Sequence, residues 1–166
     1  MRALLFILLI SAICLSCKKG AVIENQTGEK LEIYLLKSYR LVTGKCQIDE
    51  GTAVLQDTAM VKNQDILEYF QAAYQFTLSD NSIKQLKALN DGTPFAVAVD
   101  KKVVYFGILK PSYSSSTCAN SITMDYVGGY NKVTMNLGYA GTDINIDDQR
   151  NNSLLITTLS NQGKLR

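Results

Sequence analysis

Two apolar runs separated by a short polar segment constrain the fold of this 166-residue chain more than any other feature. Residues 95–99 and 103–109 are almost entirely apolar, and residues 100–102 between them are charged. A strand that is apolar on both faces belongs in the interior of a sheet, where both sides are covered. The short connection makes the two strands antiparallel neighbours. We therefore expect them at the centre of a sheet that carries helices on one face.

Alternation of apolar and polar residues predicts the remaining strands. They cover residues 31–37, 74–78, 122–126 and 133–139, with a brief strand at 52–56. Gly128 and Gly129 are expected to turn the chain between the last two of the longer strands. These two then form a hairpin with one solvated face.

Helical spacing of apolar residues predicts three helices. The first begins at Asn63 as its N-cap, the second is capped by Ser79, and the third starts near Asp147. The apolar stripe of the first helix consists of Ile66, Phe70 and Ala73. A terminal strand at residues 154–158 is the alternative to the third helix. We expect a single α+β domain over residues 31–166, with a mainly antiparallel sheet and two or three helices.

The first sixteen residues have the layout of a secretory signal. Arg2 precedes an apolar run over residues 3–15, which ends before Ser16, Cys17 and two lysines. As a helix this run would rise about 20 Å, well short of the roughly 30 Å hydrocarbon core of a bilayer. We therefore expect the segment to be removed and not to span a membrane.

Residues 15–17, with the sequence Leu-Ser-Cys, resemble the lipobox of bacterial lipoproteins. In that family a small residue precedes a cysteine that is acylated and becomes the new N-terminus. The resemblance implies a signal peptide over residues 1–16, lipidation of Cys17 by fatty acids such as palmitate, and a lipidated tether over residues 17–30. Cys14 stands where the family usually has leucine, and acylation there would leave a β-branched residue at the cleavage position. An ordinary signal peptide that ends near a cysteine is the alternative.

The lipoprotein resemblance also predicts where the protein resides. Several acyl chains on Cys17 would anchor it stably in membrane lipid, because two or more chains exceed the marginal binding of one. Lys18 and Lys19 would lie at the headgroups, where each adds roughly 1 kcal/mol of attraction to anionic lipid. The family's signal for retention in the inner membrane is an aspartate directly after the lipidated cysteine, and this chain has Lys18 there. We therefore expect the outer membrane of a bacterial cell envelope, with the folded part facing the periplasm.

Processing at Cys17 would remove Cys14 and leave two thiols, those of Cys46 and Cys118. Two thiols in an oxidising periplasm favour one disulfide. Two unpaired thiols and a redox pair are the alternatives, although catalytic redox cysteines normally lie close together as Cys-x-x-Cys.

A second resemblance covers residues 76–105. The segment from Gly92 to Tyr105 is similar to part of the first periplasmic domain of the protein translocase subunit SecD. There a helix leads through a glycine into a hairpin of the form Gly-x-x-Ala-Ile-Val-x-Asp-Gly-x-Val. In this chain Asp100 matches the aspartate, and Lys101 stands where the family has glycine. The resemblance implies a ferredoxin-like or similar arrangement of sheet and helices.

Composition excludes several kinds of chemistry. The chain has no histidine, so it can have no Ser-His-Asp triad, no Cys-His pair and no histidine-ligated zinc. Its net charge of +2, with mixed signs throughout, gives no basic footprint for nucleic acid. We predict no cofactor, no metal site and no nucleic-acid partner, and we assign no catalytic residue.

The serine-rich loop of residues 110–120 is the best candidate for a binding site, since its side chains can hydrogen-bond a sugar or a peptide. The candidates are Tyr113, Ser114, Ser115 and Ser116. A solvated loop fastened by Cys118 is the alternative. A serine nucleophile in this loop would need Lys110 as its base.

Asp143, Asp147 and Asp148 form the one acidic cluster of the sequence. A carboxylate pair there could serve glycoside hydrolysis or hold calcium, but the apolar residues among them do not fit an EF-hand loop. A solvated turn before a helix is the alternative.

Together these features predict a membrane-anchored periplasmic lipoprotein that acts as a binding or scaffolding module for an envelope protein or a glycan. The alternatives are a histidine-free hydrolase that uses carboxylates or a Ser/Lys pair, and an accessory factor in protein export, which rests on the SecD-like hairpin.

Overall fold

A computed structural model describes residues 28–126, 130–140 and 146–166, and in them eight strands form one sheet with two α-helices. The strands are β1 (Leu31–Ser38), β2 (Val54–Leu55), β3 (Ile66–Phe70), β4 (Gln75–Leu78), β5 (Pro94–Val99), β6 (Lys102–Leu109), β7 (Cys118–Tyr126) and β8 (Lys132–Tyr139). The helices are α1 (Asp80–Lys87) and α2 (Ser153–Asn161). This confirms the α+β class. The predicted signal peptide, Cys17, Gly128, Gly129 and Asp143 lie outside the described residues.

The order of strands across the sheet is β2-β1-β5-β6-β7-β8-β4-β3. The two apolar runs are β5 and β6, which pair antiparallel near the centre as predicted. Neighbouring strands are antiparallel except β6 and β7, which run parallel with Gly107 opposite Ile122. The mainly antiparallel sheet is therefore confirmed, but the sheet is mixed. The ferredoxin-like arrangement is not confirmed.

The two faces of the sheet are covered differently. On one face, the helix face, α1 buries Ile83 and Leu86 while α2 buries Leu155 and Leu159. On the other, the loop face, a smaller apolar cluster includes Ile48 from the long loop between β1 and β2. None of the helices in the described residues has the length and apolar character needed to cross a membrane.

Both α-helices begin with a side-chain cap. Ser79 accepts a hydrogen bond from the backbone N–H of Ser82 at 3.3 Å, which confirms the predicted N-cap of α1. Asn152 caps α2 through the N–H of Leu154 at 2.9 Å, and Gly163 follows that helix with φ of 66°. The C-terminal segment is therefore a helix and not the alternative strand.

The helix predicted from Asn63 is wrong. The structure has a 3-10 turn at Asn63–Asp65, then β3, then a second 3-10 turn at Gln71–Ala73. A bulge between Ile66 and Glu68 shifts the alternation, so that Ile66 and Tyr69 are both buried in the core. Of the predicted apolar stripe only Ile66 is buried, whereas Phe70 is half-buried and Ala73 is exposed. Asn63 accepts a hydrogen bond from the N–H of Leu31 at 3.1 Å and caps no helix.

Candidate functional site

The predicted site residues lie on the connection between β6 and β7, residues 110–117, which we call the strap. Because β6 and β7 run parallel, the strap must carry the chain from the end of β6 back to the end of the sheet where β6 began. Its eight residues reach at most about 28 Å. Asp125 of β7 accepts a hydrogen bond from the N–H of Ser112 at 2.9 Å. The Tyr139 hydroxyl donates to the carbonyl oxygens of Ser112 and Ser114 at 3.1 and 3.0 Å. The strap is thus bonded to both strands of the β7–β8 hairpin.

A buried lysine holds the beginning of the strap. Lys110 is only 4% exposed, and its Nζ lies 3.1 Å from Oδ1 of Asp91, in the turn before β5. The same ammonium donates to Oγ of Ser116 at 2.5 Å. Ser114 and Ser116 in turn donate to Oδ2 of Asp91 at 2.6 and 3.3 Å. Asp91 and three side chains of the strap therefore form one connected cluster.

The charges in this cluster determine its chemistry. Burial alone would raise the pKa of Asp91, but hydrogen bonds from Ser114 and Lys110 and the charge of Lys110 lower it below its usual range. Lys110 forms a salt bridge with this carboxylate, and an ammonium group has no electron pair to accept a proton from Ser116. The contact between Lys110 and Ser116 therefore favours a structural role over that of a nucleophile and its base.

The other two candidates on the strap remain open to solvent. Tyr113 is 69% exposed, with its hydroxyl 2.9 Å from that of Tyr126. Burial and this hydrogen bond raise the pKa of Tyr126 to about 12. Ser115 is exposed. The structure thus separates the predicted set, since Ser114 and Ser116 face Asp91 while Tyr113 and Ser115 face outward.

Cys46 and Cys118 meet at the other end of the strap, as the sequence predicts. Their Sγ atoms lie 1.98 Å apart, at disulfide distance, and their Cα atoms 5.2 Å apart. A bridge here joins the long β1–β2 loop to the first residue of β7 and closes 72 positions of chain. For a loop of that length the chain-entropy model gives roughly 4 kcal/mol of stabilisation.

A cleft lies away from the strap, between α1 and the segment that leads from β2 to β3. Its volume is about 560 Å³, within the range of roughly 300–1,000 Å³ that is typical of ligand pockets. The apolar part of its lining includes Leu35, Met60 and Leu89, which pack against the core. The polar part includes four carboxamide side chains, those of Gln56, Gln64, Asn81 and Gln85.

The carboxamide groups of this cleft make no hydrogen bonds within the part of the chain that the structure describes. All four side chains are exposed, and none has a hydrogen bond to any residue that the structure describes. Each carboxamide offers two donors and an acceptor oxygen. The nearby carboxylate of Asp65 accepts instead from the Ser79 hydroxyl at 2.8 Å. Sequence reasoning missed this site because its amides lie in three separate segments that carry no motif, and only the fold brings them together.

The described part of the acidic cluster is structural. Asp148 accepts from Nε and Nη2 of Arg150 at 2.8 and 2.7 Å, and these hydrogen bonds hold its pKa below the usual range. The guanidinium of Arg150 also donates to the carbonyl oxygen of Met135 and stacks 3.6 Å from the ring centre of Tyr74. Asp147 accepts from the amide of Gln149. Among the described residues no three side chains of metal-ligating type are grouped to hold a metal ion.

Comparison of the chain with protein-family models, with curated proteins and with solved structures found no match.

Proposed function

We propose that this protein is a lipoprotein of the bacterial cell envelope that binds a neutral glycan in the amide-lined cleft. The lipobox resemblance at Cys17 supports the anchor, with the outer membrane as its site. The cysteine pair at disulfide distance supports an oxidising compartment. The cleft itself carries the binding part of the proposal.

The chemistry of the cleft fits a glycan better than a charged ligand. Sugar hydroxyls both donate and accept, and the four free carboxamides do the same. The apolar lining formed by Leu35, Met60 and Leu89 can pack against the C–H faces of sugar rings. Lys62 and Asp65 contribute opposite charges to the lining, so it has no single-sign field that would select an ion.

Calorimetric titration with an N-acetylglucosamine tetramer tests this binding. The double variant Asn81→Ala/Gln85→Ala removes two carboxamides from one wall of the cleft. A hydrogen bond contributes about 1 kcal/mol, so the double variant should weaken binding by about thirtyfold. The matched control is Lys84→Ala/Lys87→Ala, which changes two exposed residues of the same helix that do not line the cleft.

Equal affinity in the wild type and the cleft variant would contradict the assignment of the site. Failure of the wild type to bind this or any other neutral oligosaccharide, together with binding of an envelope protein, would replace the glycan by a protein partner.

A further inference from the structure

The chain enters the sheet beside the turn between β5 and β6. The backbone N–H of Lys30 donates to Oδ1 of Asp100 at 2.9 Å, and the N–H of Asp100 donates to the carbonyl oxygen of Lys30 at 2.9 Å. Leu31 then pairs with Val99 in the sheet. The point where the N-terminal segment joins the fold and the tip of this hairpin therefore lie at the same end of the sheet.

Three exposed lysines, which we call the lysine face, surround this point. They are Lys30, Lys101 and Lys102, and none of them forms an ion pair with a residue in the described ranges. The two carboxylates beside them are engaged in other contacts. Asp100 accepts from the N–H of Lys30, and Glu29 accepts from the Thr158 hydroxyl at 2.9 Å. These contacts leave the charge of both carboxylates in place, so three lysines against two carboxylates give the lysine face a net positive charge, and no lysine is tied up in an ion pair with a described residue.

The backbone conformation at Lys101 is one that does not favour a lysine. Asp100 and Lys101 have φ of 47° and 66°, as a two-residue type I′ hairpin requires. Glycine and asparagine adopt these angles readily, whereas a lysine is strained there. Strain kept at an exposed position points to a use for the side chain.

We propose that the lysine face docks against the anionic phospholipid headgroups of the leaflet that holds acylated Cys17. The docking depends on the lipid anchor of the proposed function, because the residues between Cys17 and Gly28 reach at most about 40 Å. That tether keeps this end of the sheet near the bilayer. Each lysine close to an anionic surface raises the docking equilibrium by a factor of about five. The described domain therefore has a preferred orientation, with the hairpin tip toward the membrane.

The test uses the full-length lipidated protein, reconstituted into vesicles of phosphatidylcholine alone or of phosphatidylcholine mixed with phosphatidylglycerol. Flotation with the neutral vesicles reports the anchor. The rate at which an amine reagent labels Lys30, read by mass spectrometry, reports docking. We expect labelling to be about fivefold or more slower on the anionic vesicles, and high salt should abolish the difference because it screens exposed charges.

Variants separate docking from a structural role of the lysines. Lys101→Gly/Lys102→Gln should lower the docking equilibrium about 25-fold and restore fast labelling of Lys30. The control, Lys37→Gln/Lys45→Gln, removes two exposed lysines, of which Lys37 lies about 20 Å along β1 from Lys30, and should leave the protection intact.

Lys101→Gly alone should keep the Tm or raise it by up to about 4 °C, since it relieves the strained turn. A fall in Tm would show that the side chain stabilises the fold instead.

Each outcome distinguishes the two proposals. Equal labelling on both kinds of vesicle, with flotation on the neutral ones, overturns the docking and leaves the anchor. Loss of flotation on neutral vesicles overturns the anchor, whatever the labelling shows. Protection on neutral vesicles, or protection that survives high salt, contradicts an electrostatic contact.

Discussion

Replacing Asp91 by asparagine tests whether an ion pair fixes the strap. The side chain of Lys110 is 5% exposed and that of Asp91 33% exposed. Removing one partner of a fully buried pair costs about 3–5 kcal/mol, and partial exposure of this pair reduces the expected cost to about 2–3 kcal/mol. The loss falls on the ammonium, which stays buried with no opposing charge, and its remaining side-chain partners are the neutral amide at position 91 and the Ser116 hydroxyl.

The reverse substitution should cost much less. Lys110→Met keeps most of the side-chain volume and leaves Asp91 with solvent and the Ser114 hydroxyl, so we expect a loss of about 1 kcal/mol. The double variant Lys110→Met/Asp91→Asn should lie within about 0.5 kcal/mol of Lys110→Met alone, because no buried charge remains to be stranded.

Urea unfolding followed by far-UV circular dichroism measures these free energies, since the chain has no tryptophan to serve as a fluorescent probe. Additive losses in the double variant would refute the reasoning, because they would mean that Asp91 and Lys110 act independently. A loss for Lys110→Met as large as that for Asp91→Asn would likewise show that the lysine contributes through packing and not through its charge.

Three further changes test other parts of the fold. Cys46→Ser should lower the unfolding free energy by up to about 4 kcal/mol, the same loss as reduction of the wild type, and identical stability with and without reductant would contradict the bridge. Gly107→Ala should cost about 1–3 kcal/mol in thermal or urea unfolding, because its Cβ would lie 2.3 Å from the Phe95 ring, and an unchanged Tm would show that β5 can shift. Arg150 lowers the folded-state pKa of Asp148, so this carboxylate stabilises the fold above its unfolded pKa of about 4 and loses that effect as pH falls through the folded value. Urea midpoints between neutral and acid pH should therefore fall less steeply for Asp148→Asn than for the wild type, and parallel curves would contradict this contribution.

The local patterns of the sequence predict much of the sheet. The two apolar runs form the strands β5 and β6 near the centre of the sheet. A strand that is apolar on both faces is stable only where both faces of the sheet are covered. Ser79 caps α1 through a contact within one turn, which is a local effect that sequence reasoning can identify. The lipobox resemblance implies an oxidising compartment and leaves two thiols after processing, and this favoured a pairing of Cys46 with Cys118 over two unpaired thiols or a redox pair.

What the sequence could not predict depends on contacts between distant residues. Ile66, Phe70 and Ala73 stand at helical spacing in the sequence, and only the pairing of β3 with β4 makes this segment a strand followed by a 3-10 turn. Asp91 and Lys110 carry no motif that relates them in the sequence, and only the fold brings their side chains together. No pattern in the sequence indicated that Ser114 and Ser116 of the strap would hydrogen-bond Asp91, and their binding of a ligand stays a prediction.

The most direct test of the proposed function is the mass of the N-terminal peptide of the protein isolated from bacterial membranes. We expect a peptide that begins at Cys17 and carries its acyl chains, and we expect Cys17→Ala or globomycin treatment to release the protein from the outer membrane. A mature chain that begins at another residue, an unmodified Cys17 in the wild type, or a Cys17→Ala variant that stays membrane-bound would contradict the lipid anchor.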